Sequence, residues 1–163
     1  MIEIVQSPNI EKNKGIRLFL AGGISNCINW QKDLCIRLEN DERLKKELTP
    51  DINILIFNPR CEEIPEDDPQ IQWEYERLQT SDIISFWFSV GSLNPITLFE
   101  YGSYLKSENK TIIVGTHPEY QRKNNVIKQT QLANPKIKVN EDFENFYNNI
   151  IETLLEKIKL IKT

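Results

Sequence analysis

A chain of 163 residues with 39% hydrophobic and 27% charged residues is the size of one ordinary domain able to bury a substantial core. The net charge of −4 argues against nucleic acid as the natural partner, because neutralising phosphates needs a basic face. No apolar run is long enough to span a bilayer and no signal-peptide pattern is visible, so no membrane partner and a cytoplasmic location are expected.

In chain order, residues 1–14 are polar and weakly patterned and read as an N-terminal arm or frayed end. Ile16–Ala21 is a first strand that ends in the Gly22-Gly23 turn. Asn26 or Asn29 caps a helix running through Trp30, Leu34, Ile36 and Leu38 to about Leu48, with Pro50 closing it. Ile52–Phe57 is a second strand, stopped by Asn58-Pro59. Arg60 to Pro69 is acidic and punctuated by proline, which predicts a loop over the carboxyl edge of the sheet.

A helix from about Gln70 to Thr80 follows, and Asp82 leads into a third strand, Ile83–Phe88. Asn94 before Pro95 predicts a helix start, with the asparagine as N-cap and proline at the first helical position, and this helix reaches about Lys106. Thr111–Gly115 is a fourth strand. A short helix through Val126 and Ile127 and a brief strand at Ile137–Val139 come next. In the last helix Phe143, Phe146, Tyr147, Ile150, Ile151, Leu154, Leu155, Ile158 and Ile161 form one apolar stripe at helical spacing, which suits core or an oligomer interface. Alternating strands and helices without an internal repeat give one α/β domain over residues 15–163, with about five parallel strands covered by helices on both faces.

Candidate chemistry is sparse. The first turn, Ala21–Ser25, lets backbone N–H groups approach a ligand, yet it is not a dinucleotide or P-loop motif. Cys27, Cys35 and Cys61 lack metal-ligand spacing and read as small buried hydrophobes or half-exposed thiols, and a single histidine, His117, excludes a site needing several imidazoles. Among the acids, Asp67, Asp68 and Asp82 suit loops and helix ends. Glu100 lies beyond the third strand, where open α/β sheets bind ligands, beside the apolar Leu98, Phe99, Tyr101 and Leu105.

Several strings in one order resemble the nucleoside 2-deoxyribosyltransferase-like proteins. They are Phe19–Gly23 followed by Trp30, Asn58-Pro59-Arg60, Gln72-Trp73-Glu74 with Leu78, Asp82-Ile83-Ile84 with Trp87-Phe88, Pro95–Leu98 with Glu100 and Gly102, and Arg122 with Asn125-Val126. The resemblance covers about residues 16–135. Two departures are Glu100-Tyr101-Gly102 in place of Glu-Leu-Gly and a shorter segment between Arg60 and Gln72.

The resemblance implies a Rossmann-like, flavodoxin-like fold and assigns Glu100 as the nucleophile that attacks the anomeric carbon of a 2-deoxynucleoside. It implies Glu74 as the carboxylate handling the departing or incoming base, Asn94 as a substrate contact, and Phe19, Gly22 and Gly23 as the pocket floor. Trp73, Trp87 and Phe88 are candidates for a dry aromatic pocket, the last two equally for core. Arg60 is a substrate-binding candidate. With Arg122 and Lys123 it would supply the phosphate site required by an alternative NAD or nucleoside-5′-phosphate glycohydrolase. A non-catalytic nucleotide-binding domain is the other alternative. No metal or cofactor is implied, the partners are a nucleoside or nucleotide and a free base, and a homo-oligomer is expected, with the final helix as its candidate interface.

Overall fold

The computed structural model describes residues 1–61 and 67–163. Its strands are β1 (Ile2–Gln6), β2 (Ile16–Gly22), β3 (Ile54–Asn58), β4 (Ile83–Phe88), β5 (Thr111–Thr116) and β6 (Val139–Asn140). The helices are α1 (Trp30–Asn40), α2 (Glu42–Glu47), α3 (Asp67–Thr80), α4 (Pro95–Tyr104), α5 (Lys123–Ala133) and α6 (Phe143–Lys162). The six strands form one parallel sheet in the order β1-β3-β2-β4-β5-β6. Apart from β1 this is the doubly wound, flavodoxin-like order, whose direction reverses between β2 and β4.

Alternation along the strands divides the core in two. Leu18 and Leu20 of β2 and Trp87 of β4 pack under α1, α2 and α6, whereas Phe19 and Ala21 of β2 and Phe86 and Phe88 of β4 pack under α3, α4 and α5. Both faces are therefore dry, as a parallel sheet requires. Among the described residues, no helix is long and apolar enough to cross a membrane.

Residues 1–14 are not a loose arm. Ile2–Gln6 forms the edge strand of the sheet, paired with β3 from Ile2↔Ile54 to Gln6↔Asn58. The segment after it is tied down as well. Glu11 pairs with Arg77 at 2.9 Å, Trp73 Nε1 donates to Asn9 O at 2.7 Å, and Lys12 N donates to Glu3 at 2.8 Å. The strand is partly apolar, with Val5 buried and Ile2 and Ile4 packed against the core, but five residues are too short a run to stand out as a pattern.

The helix expected to continue to Leu48 breaks at Asp41. There the backbone is extended and the carboxylate caps α2, accepting from Arg43 N at 2.9 Å and Leu44 N at 3.3 Å. The apolar stripe of α6 is spent inside the chain. Phe146, Ile150, Ile151, Leu154 and Ile158 are all fully buried against the sheet, and only Ile161 at its end stays 58% exposed. Of the two readings of the stripe, core is the one the fold uses. Of the loop expected over Arg60–Pro69, residues 62–66 lie outside the described residues, and α3 begins at Asp67, earlier than the expected Gln70.

Candidate functional site

A cavity of about 450 Å³ opens at the carboxyl ends of β2 and β4, where the sheet order reverses. Its floor comes from β2 and the turn after it: Phe19, Ala21, Gly22, Gly23, Ile24 and Ser25. Gln70 and Glu74 of α3 stand on one side. Asn94, Ile96, Thr97 and Glu100, at the start of α4, stand on the other. Phe19, Gly22, Gly23, Glu74, Asn94 and Glu100, all singled out in the sequence, thus line one cavity.

Trp73 and Arg60 do not line the cavity. Trp73 is turned into the core, 6.2 Å from the ring centroids of both Phe19 and Phe57, so it supports the floor from behind. Arg60 crosses behind the β2–α1 turn. Its guanidinium donates to Gln31 Oε1 and Ile24 O and Ile28 O, each at 3.2 Å, which ties the β3–α3 connection to the turn that carries the floor. Trp87 and Phe88 are core aromatics. Trp87 packs 5.1 Å from the rings of Phe143 and Phe146, and Phe88 packs against Tyr101 and Tyr120.

The first turn is shaped by packing as much as by access. A Cβ at Gly22 would lie 2.5 Å from both the Trp30 ring and Trp87 O. A Cβ at Gly23 would lie 1.8 Å from Asn94 Oδ1. Asn94 itself does not cap α4. It sits in the left-handed region (φ 51°), a conformation asparagine tolerates, and makes no capping bond. Its carboxamide instead turns back into the loop: Nδ2 donates to Ser89 O at 2.9 Å and Ser92 O at 3.0 Å, and Oδ1 accepts from Cys27 Sγ at 3.6 Å. Only 3% exposed, Asn94 joins the loops after β2 and β4 into one rigid corner.

The two carboxyl groups dominate the electrostatics. Burial and the nearby charge of Glu74 push Glu100 up to about 8. Burial also raises Glu74, while a hydrogen bond from Gln70 Nε2 at 2.6 Å works in the opposite sense. Each charge disfavours the other, so the two groups resist being ionised together. A carboxylate and a carboxylic acid on opposite sides of one cavity can act as nucleophile and proton donor. The Cys27 thiol, also pushed up by burial, is held in its unreactive protonated form.

Gln70, Thr97, Ser92, Ile96, Pro59 and Cys61 line the cavity without having been named as site residues from the sequence. For Gln70 a signal existed: it lies four residues before Glu74 on one helix, hence on the same face. Residues 15–120 match the family model described as nucleoside 2-deoxyribosyltransferase like. No curated protein matches the chain.

Proposed function

The chain belongs to the nucleoside 2-deoxyribosyltransferase-like family, and we propose that it cleaves or transfers the N-glycosidic bond of a (2-deoxy)nucleoside through a covalent intermediate on Glu100. The observation that carries this reading is the pairing of Glu100 and Glu74 across one cavity at the switch point of the sheet. A Glu100 oxygen attacks C1′, the C1′–N bond breaks, and its electron pair goes to the base nitrogen, which takes the proton of Glu74. The free base leaves and a glycosyl ester remains. An incoming base nitrogen then attacks C1′ and expels Glu100, while Glu74 accepts the proton of that nitrogen; water in the same place gives hydrolysis. The apolar floor at Phe19 and Ala21 limits water around the ester.

The alternative glycohydrolase of NAD or nucleoside 5′-phosphates needs a cationic phosphate site. Among the described residues no lysine or arginine lines the cavity. Arg60 is engaged with Gln31 and backbone carbonyls, and Lys123 pairs with Glu141 at 2.8 Å. The sequence between Arg60 and Arg77 contains seven acids and no lysine or arginine, counting Glu62, Glu63, Glu66, Asp67, Asp68, Glu74 and Glu76. The acids that line the cavity are Glu74 and Glu100, and their repulsion favours an uncharged sugar 5′ end. For the expected homo-oligomer, we assign the second copy to the exposed apolar residues of the two carboxylate helices, Ile71 and Tyr75 of α3 and Ile96 and Phe99 of α4.

The test is chromatography of the protein incubated with deoxynucleosides, their 5′-monophosphates and NAD, with and without a free acceptor base. Exchange of base that depends on the acceptor is the expected result, with kcat/KM for the nucleoside at least about tenfold above that for its monophosphate. Turnover confined to NAD or monophosphates reverses the substrate assignment. Binding of a nucleotide without any turnover replaces the enzyme by a binding domain.

A further inference from the structure

We propose that Gln70 is the positioning residue for Glu74 and that Ser7 locks it in place, so that the N-terminal segment is part of the site. The inference rests on the reading of Glu74 as the acid/base group. Its geometric part does not. The family match begins at residue 15, so Ser7 lies outside the matched residues.

The Gln70 amide has no freedom left. Its nitrogen donates to Glu74 Oε1 at 2.6 Å and to Pro59 O at 2.7 Å, and its oxygen accepts from the hydroxyl of Ser7. Pro59 O can only accept, so the amide cannot be flipped without losing that bond and facing its oxygen towards a carboxylate. Ser7 is in turn fixed by backbone pairing. It is 3% exposed, its N–H donates to Asn58 O at 3.0 Å, and the preceding Gln6 is the last residue of β1 in register with β3. Gln6 Nε2 also donates to Arg60 O at 2.9 Å. The end of β1 is thereby stitched to Asn58, Pro59 and Arg60, the stretch from which α3 departs.

The consequence for Glu74 is steric and electrostatic. One of its oxygens is occupied by Gln70, and among the described residues Oε2 has no hydrogen-bond partner, which leaves that oxygen to exchange the proton. An N–H directed at a carboxylate favours the charged form, whereas burial and the other carboxylate oppose it. Among the described residues, the other titratable groups lining the cavity are Glu100 of α4 and Cys61 beyond β3, neither of which supplies a positive charge. Gln70 is then the group that keeps Glu74 able to release as well as hold its proton. Without it Glu74 would remain a competent acid for base departure but a poor base for the incoming acceptor.

The experiment titrates the unliganded protein, labelled at glutamate side-chain carboxyl carbons, by NMR. The Glu74 signal is identified by its loss in Glu74→Gln. In Gln70→Leu the Glu74 midpoint moves to higher pH, and in Ser7→Ala it moves the same way by less. Unchanged midpoints in both variants overturn the proposal, and Ser7→Ala serves if Gln70→Leu does not fold. This readout needs no substrate, so a parent protein that turns over no nucleoside defeats the proposed function without touching the relay. With an active parent, Gln70→Leu slows base exchange about tenfold and raises the pH at which exchange switches on. Equal losses at every pH would mark Gln70 as structural only.

Discussion

Replacing Glu100 by glutamine lowers base release at least about 10³-fold and, at alkaline pH, makes the protein more stable. The two effects have one origin. Glu100 sits in a half-buried wall beside a second carboxyl group, and both the burial and the charge of Glu74 raise it to about 8. A carboxyl group raised in the folded state contributes stability that is fully present below its unfolded value of 4.5 and is lost as pH rises through about 8. Glutamine keeps the shape and has no proton to lose. The melting temperatures of parent and Glu100→Gln are thus close at pH 4.5 and separate towards pH 8.5, where the variant gains at least about 1 kcal/mol, or ~2–4 °C, after allowance for partial exposure. Thermal melts at the two pH values and a single-turnover assay check both halves. Base release at the parental rate sinks the nucleophile assignment; melting curves that stay together sink the repulsion argument.

The sheet was legible because each of its main strands is a largely apolar run flanked by polar or turn-forming residues, and such runs have few other uses in a chain of this size. Helix α6 was legible for the same reason, although its stripe left core and interface undecided until the sheet was seen to bury it. Glu74, Glu100, Asn94 and the floor residues to which the resemblance points line one cavity, but a string of adjacent residues does not say which face each occupies. Trp73 and Glu74 are neighbours in sequence and about 100° apart around α3. When Glu74 faces the cavity, Trp73 is turned onto Phe19 and Phe57. Arg60 is a charged residue beside a pocket, and only the three-dimensional position of Ile24, Ile28 and Gln31 shows where its guanidinium is used. Asn94 before proline has the sequence of an N-cap. Its left-handed backbone depends on partners at Ser89, Ser92 and Cys27, and the Cys27 contact comes from a separate loop. What sequence could not convey is in each case a contact between elements distant in the chain.

Gly23→Ala damages both the fold and the site through that same corner. The added Cβ would stand 1.8 Å from Asn94 Oδ1 and 2.6 Å from Cys27 Sγ. Cys27 can swing aside, but Asn94 cannot, because its amide nitrogen is bound to Ser89 O and Ser92 O and its backbone is fixed between the loop and Pro95. Relief has to come from moving the β4–α4 loop, at a cost of about 2–3 kcal/mol, or a fall of ~4–12 °C in melting temperature. That loop sets the start of α4, which carries Glu100, so KM for a nucleoside rises about tenfold even at temperatures where the variant is folded. Asn94→Gly separates this cause from general strain in the turn, because glycine keeps the left-handed backbone while removing the carboxamide. In that background Gly23→Ala costs at least about 1 kcal/mol less than in the parent, a coupling that independent sites would not show. Equal costs in the two backgrounds would place the strain against Cys27 instead and would end the role of Asn94 as the keystone between the two loops.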